Sequence, residues 1–330
     1  MLHILNGEST LEVLRNSSLP GEFYSFRDAL IGGPTPAGAE GRDWFNLRAS
    51  HLADAYGLEQ SKRERELQQQ DDLLVSCAQH DEVVLWFDHD LFCQVNLLYL
   101  LNRLSQIQLG STILSLICIG EFPGVDTFRG LGQLTKDQLE GLFPNRQQLT
   151  LKQLESGTSA WAAYCSASPT SVLDFIEDNT SALPFVAPAL LNHLRRFPST
   201  GNGVGRIEQR ALELVSGGLR PFSELFAAFA KEEPAFGLGD FQIWLSLRKL
   251  AEARQPLLTM KHGAVAGQEL NAQVLRHTQI EMTRAGDAVL KGENDFIAMS
   301  GMDEWLGGVH LVSGQTLWRW NERARRLVRE

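Results

Sequence analysis

Residues Glu82 to Leu101, EVVLWFDHDLFCQVNLLYLL, join one apolar run to another through a single charged triplet, Asp88-His89-Asp90. The run before the triplet is too short for a helix and nearly all apolar, which suits a buried strand. After Asp90 the residues Leu91, Val95, Leu98 and Leu101 return every three to four positions, the spacing of a helix packed along one side. A buried strand running straight into a helix constrains the chain towards an α/β sheet. In such sheets ligands bind outside the carboxyl ends of the strands, so the triplet marks a candidate site.

The rest of the first half repeats this unit. His3 to Asn6 is a short apolar run followed by Gly7-Glu8-Ser9-Thr10 and by Leu11, Val13 and Leu14 at helical spacing. Gly21 to Phe26 is a second run that ends in Arg27-Asp28-Ala29-Leu30 and a loop rich in Gly and Pro. Asp43 to Cys77 reads as one helical stretch, polar all round over SKRERELQQQDD. Ser111 to Ile119 is a further strand, ending in Gly120-Glu121. Strands alternating with helices predict a Rossmann-like, mainly parallel sheet over residues 1–128, with every strand's carboxyl end on the same edge.

That edge gathers the candidate site residues. Asp28, Asp88, His89 and Asp90 are the candidate catalytic groups, as acids and bases or as metal ligands. Asn6, Gly7, Glu8, Ser9, Arg27 and Gln94 are the candidate ligand-binding groups, with Arg27 placed to neutralise an anion, and Glu121 lies on the same rim. An Asp-x-Asp at a strand end suits a hard divalent cation such as Mg²⁺ or Mn²⁺, although two aspartates do not fix the metal. Plainer roles compete: Ser9 or Thr10 and Asp90 are also good helix N-caps, and His89 between two carboxylates suits a structural histidine as well as an acid/base group. The Asn-Gly-Glu-Ser turn matches neither common phosphate-binding glycine pattern. The expected ligand is a phosphorylated or nucleotide-like small molecule, and the sequence names neither the molecule nor a reaction.

Residues 129–198 read as a helical connecting segment. It opens on Gly130-Leu131-Gly132 and a helix capped at Thr135, and continues through helices over 151–166 and 169–196. From 199 to 330 the pattern is winged-helix-like: helices over 207–215, 221–232 and 240–253, then strands at 256–260 and 279–282 and a helix over 283–290. A tryptophan-rich end, VHLVSGQTLWRW, reads as a hairpin turned at Ser313-Gly314, which either folds the tail onto the body or closes over the rim and adds His310 to it. The third helix carries Arg248, Lys249 and Arg254 but opens on Asp240, unlike the basic face of a DNA reader. Thirty Lys and Arg against forty Asp and Glu leave a net charge of −10, which also disfavours a nucleic-acid partner; the alternative function is a ligand-responsive regulator whose winged helix contacts nucleic acid or a partner protein. The four cysteines form no Cys-x-x-Cys pair, so neither a zinc framework nor a set of disulfides is expected. No apolar run is long enough to span a bilayer, and the reading is of a cytoplasmic protein without a membrane partner.

Several motifs carry a resemblance. HILNGES, Arg27-Asp28-Ala29-Leu30 with Gly33-Pro34, LWFDHDLFCQVNLLYLL, GLGQLT, HLRRFPSTGNGVGRIEQ and WLGGVHL with WRW occur in this order and span nearly the whole chain. Together they resemble the bacterial family known as domain of unknown function eighteen-thirty-five. The chain has Glu8 where the family pattern has an aspartate. The resemblance implies a bacterial, cytoplasmic protein with a site built from the motif residues, and it implies no particular reaction.

Overall fold

The computed structural model describes residues 1–178, 182–261 and 272–330. They fall into two compact units, one of residues 1–191 with 307–309, the other of residues 192–306 with 310–330. The first is a mixed α/β unit. Its elements begin with β1 (Leu2–Asn6), α1 (Glu8–Leu14), β2 (Glu22–Phe26), a two-residue β3 (Gly33–Pro34), α2 (Gly41–Tyr56) and α3 (Gln60–Ser76). They continue with β4 (Glu82–Asp88), α4 (Leu91–Ser105), β5 (Ile113–Ile119), α5 (Lys136–Leu142), β6 (Gln147–Gln148), α6 (Leu151–Cys165), α7 (Thr170–Asp178) and α8 (Val186–Leu194).

The main sheet has the order β2-β1-β4-β5-β6, parallel throughout except for the short antiparallel β6. The expected parallel sheet is therefore present, and its order matters for function. The chain builds outward from β1 to β2 on one side and from β1 to β4 and β5 on the other. The carboxyl ends of β1 and β4 consequently flank the point where the winding reverses, the place where sheets of this kind leave a crevice. Alternation along β4 sends Val84 and Trp86 into a core with Leu5, Leu11, Leu14, Ile117, Phe128, Leu131 and Leu139. Trp86 donates its indole N–H to His3 Nδ1 at 3.1 Å, and His3 stacks on Phe23. On helix α6, Gly157 lets the backbone come close to α4, since a Cβ there would lie 2.6 Å from Leu101 Cδ1.

Two sequence expectations change in this unit. The single helix over 43–77 is two helices, because Gly57 takes the left-handed conformation (φ 66°) and ends α2 with its N–H bonded back to Ala53. The helix over 169–196 is α7 and α8, and residues 179–181 of that stretch lie outside the described residues.

The second unit contains α9 (Arg206–Ser216), α10 (Phe222–Glu232), α11 (Asp240–Ala251), β7 (Leu258–Lys261), α12 (Ala272–His277), β8 (Gln279–Met282), α13 (Arg284–Leu290) and α14 (Phe296–Ser300). It ends with β9 (Asp303–Gly307), β10 (Val309–Val312), β11 (Trp318–Asn321) and β12 (Arg326–Arg329). Strands β7 and β8 pair antiparallel. The connection between them carries the helix α12, and its residues 262–271 lie outside the described residues. The carboxyl-terminal hairpin differs from its expectation. Val309–Val312 lies beside β9, with Ser313 N donating to Met302 O at 2.8 Å, while Trp318–Asn321 pairs with β12. Ser313-Gly314 thus joins two ribbons instead of turning one. His310 stacks on Trp305 and bonds Asp303 Oδ1 at 2.7 Å. Among the described residues no helix is long and apolar enough to cross a membrane.

Candidate functional site

The end of β4 supplies Asp88, and the next two residues lead into α4. Asp90 caps that helix, its Oδ1 accepting the Cys93 N–H at 2.8 Å. The capping role expected as the plainer reading is therefore real. Asp88 Oδ1 accepts the Leu131 N–H at 2.7 Å, and its Oδ2 lies 3.7 Å from Cys93 Sγ. The loop carrying Leu131 can come this close only because residue 130 is glycine: its φ is 145°, and a Cβ would stand 2.8 Å from Asp88 Oδ2. Gly132 packs as closely on Ser9, where a Cβ would meet Oγ at 2.5 Å. The Gly130-Leu131-Gly132 turn thus lies on residues that follow both β1 and β4.

Asp88 and Asp90 are 8% and 3% exposed, and neither has a cationic partner among the described ion pairs. Burial first, and the Asp90 carboxylate second, push the Asp88 pKa up to about 8. Asp90 is raised by burial as well, and the Cys93 thiol is raised by burial and by both carboxylates. One ligand atom from each of Asp88, Asp90 and Cys93 lies within 4.8 Å of the others. A thiol beside two carboxylates fits a borderline ion such as Zn²⁺ better than the Mg²⁺ or Mn²⁺ that Asp-x-Asp alone suggests. The charge of a bound cation would offset the cost of ionising two buried carboxyl groups so close together.

Around this cluster the amides form a frame. Asn6, at the end of β1, donates to Cys93 Sγ at 2.8 Å and accepts from Asn96 Nδ2 at 2.7 Å; Asn96 also donates to Asp28 O at 2.9 Å. Gln94 Nε2 donates to Asp88 O at 2.6 Å. His89 rests between Phe128 and Phe185, with ring centroids 6.1 and 6.0 Å away, and its Nδ1 is buried without a hydrogen-bond partner.

Of the remaining expected site residues, Asp28, Glu8 and Arg27 already have charged partners. Asp28 is buried, and its carboxylate holds Arg48 through contacts of 2.7 and 3.4 Å, while the same guanidinium donates to the carbonyls of Ala29 and Gly32. Arg48 is fully buried, so this carboxylate is the counter-ion of an enclosed cation and stands outside the Asp88–Asp90–Cys93 group. Glu8 and Arg27 form an exposed ion pair with each other. Gly7 takes φ 88° directly before α1 with open space where a Cβ would be, Ser9 is exposed beside Gly132, and Glu121 is exposed. Sequence reasoning missed Cys93, Gly130 and Leu131. Cys93 was findable as the third residue of the helix that Asp90 caps, and the Gly-Leu-Gly turn was visible but had no strand end assigned to it.

Comparison of the sequence with protein-family models and with curated proteins finds no match to any of them.

Proposed function

We propose that this protein binds a phosphorylated or nucleotide-like small molecule in the crevice between the ends of β1 and β4, and acts on it with Asp88, His89 and Asp90. The observation that carries the reading is the pair of buried carboxyl groups at the winding reversal of a parallel sheet, without a cation to neutralise them. A carboxyl group held protonated near neutral pH is suited to general-acid work, and with a divalent ion the same groups, joined by Cys93, would orient an oxyanion. His89, with an unpartnered ring nitrogen, is assigned the proton shuttle. Arg27 takes the anionic part of the ligand in exchange for Glu8; Asn6, Gly7 and Ser9 line the approach, and Gln94 holds the Asp88 carbonyl. Asp28 is given the role of holding Arg48 and, through its carbonyl, Asn96.

Calorimetric titration with inorganic phosphate and with AMP, each in the presence and absence of Zn²⁺, tests this. The wild type is expected to bind, and D88N and D90N to lose at least about tenfold in affinity while unfolding as cooperatively as the wild type, since a charge-assisted contact contributes about 1.5–3 kcal/mol. Equal affinity in all three proteins would refute the assignment.

The second unit is read as winged-helix-like, on the order α9, α10, α11 and the β7–β8 pair. We assign it packing or protein contact in preference to nucleic-acid contact. Of the three cations expected on the reading helix, Lys249 is held by Glu208 and Glu304 at 2.5 and 2.9 Å, and Arg254 lies beyond the end of α11 and donates to Met299 O.

A further inference from the structure

Beside the carboxylate cluster, within the first unit, lies a cavity of about 330 Å³ whose lining contains no Asp, Glu, Lys, Arg or His. Leu97, Leu116, Ile119 and Leu183 supply hydrocarbon and Phe185 an aromatic wall, and of the four lining amides, Gln94, Asn145, Gln147 and Gln153, only Gln94 is buried. The side chain of Gln94 is 2% exposed, and both hydrogen bonds it makes, to Asp88 O (2.6 Å) and Cys118 Sγ (3.4 Å), use Nε2. No described residue donates to Oε1, and Gln94 lines the cavity. An amide oxygen withdrawn from bulk water and left without a donor is costly unless a ligand supplies one.

The cavity also touches the candidate site at two places. Gln94 grips the carbonyl of Asp88, and Phe185 packs edge-on against His89 and so closely on Gly120 that a Cβ there would come within 2.9 Å of its ring. We infer that this cavity is the specificity subsite for an uncharged, largely apolar group of the ligand that carries one hydrogen-bond donor, such as a carboxamide or hydroxyl, directed at Gln94 Oε1. The inference rests on the reading of the β1–β4 crevice as the ligand site and adds to it the half of the ligand that the charged groups do not explain. Volume and lining both match small-molecule subsites, in which few polar groups fix the orientation of an otherwise apolar group. A charged group would lose its hydration here with nothing to compensate it.

The experiment uses the full chain, methyl-labelled at Leu and Ile, and three probes of one shape: cyclohexanecarboxamide, cyclohexanecarboxylate and cyclohexylmethylammonium. Inorganic phosphate is titrated separately. The carboxamide is expected to shift the methyl signals of Leu97, Leu116 and Ile119 saturably, with both charged probes at least about tenfold weaker. L183W, which fills the cavity and leaves Gln94 and Asp88 untouched, should abolish those shifts; if it fails to fold, L116F takes its place. Equal binding of the carboxylate, or carboxamide shifts that survive the filled cavity, overturns the subsite. Carboxamide shifts without any response to phosphate at the ends of β1 and β4 would keep the subsite and remove the anion reading. Phosphate shifts there without carboxamide binding would do the opposite.

Discussion

Gly130 shows how much of this site depends on single atoms. Any side chain at 130 would have to adopt φ 145° and press on Asp88 Oδ2, so G130A is expected to destabilise the protein by about 1–3 kcal/mol in urea denaturation and to loosen the Leu131 N–H bond to Asp88. His51 offers a test by pH. Burial first and the Arg48 guanidinium second push its pKa from 6.5 down to about 4. Between those values the native state binds fewer protons than the unfolded chain. The stability due to neutral His51 is therefore complete above 6.5 and falls as the pH drops towards 4. Thermal midpoints measured across this window should decline more steeply for the wild type than for H51N, and parallel curves would count against the buried neutral ring. At this scale the sequence was partly legible. Asp88, Asp90 and Asn6 announced themselves because they end apolar runs. The partnership of Asp28 with Arg48 did not, because an arginine in an amphipathic helix reads as solvent-facing until its burial is known.

Elements were most legible where local chemistry decides them. Thr135 accepts the Gln138 N–H and Gln138 returns a bond to the Thr135 N–H, a reciprocal cap readable from four residues. T135A is expected to cost about 1 kcal/mol, measured by urea denaturation, and to leave the carboxylate cluster unchanged. Strand pairing was least legible where partners are distant or equivalent. Asp303–Gly307 and Trp318–Asn321 are both plausible mates for Val309–Val312, and the Ser313-Gly314 turn signal favoured the wrong one. The break at Gly57 was hidden for another reason. Helical periodicity continues on both sides of it, and only the left-handed backbone at that glycine separates α2 from α3.

For the whole molecule, the strand order β2-β1-β4-β5 turns scattered polar residues into a candidate site. Alternation of strands and helices predicted the parallel sheet, but order is a property of long-range pairing and could not be read from periodicity. It brings Asn6 and the residues that follow Asp88 within one hydrogen-bonded frame and leaves the Asp28 carboxylate in another. The proposed ligand chemistry is therefore centred on the ends of β1 and β4. Backbone amide NMR of the full chain during titration with AMP, with Zn²⁺ present, tests this most directly. The prediction is saturable shifts concentrated at Asn6 to Ser9, His89 to Gln94 and Leu131, absent in D88N/D90N. Shifts confined to other parts of the chain, or the same shifts in the double variant, would contradict it.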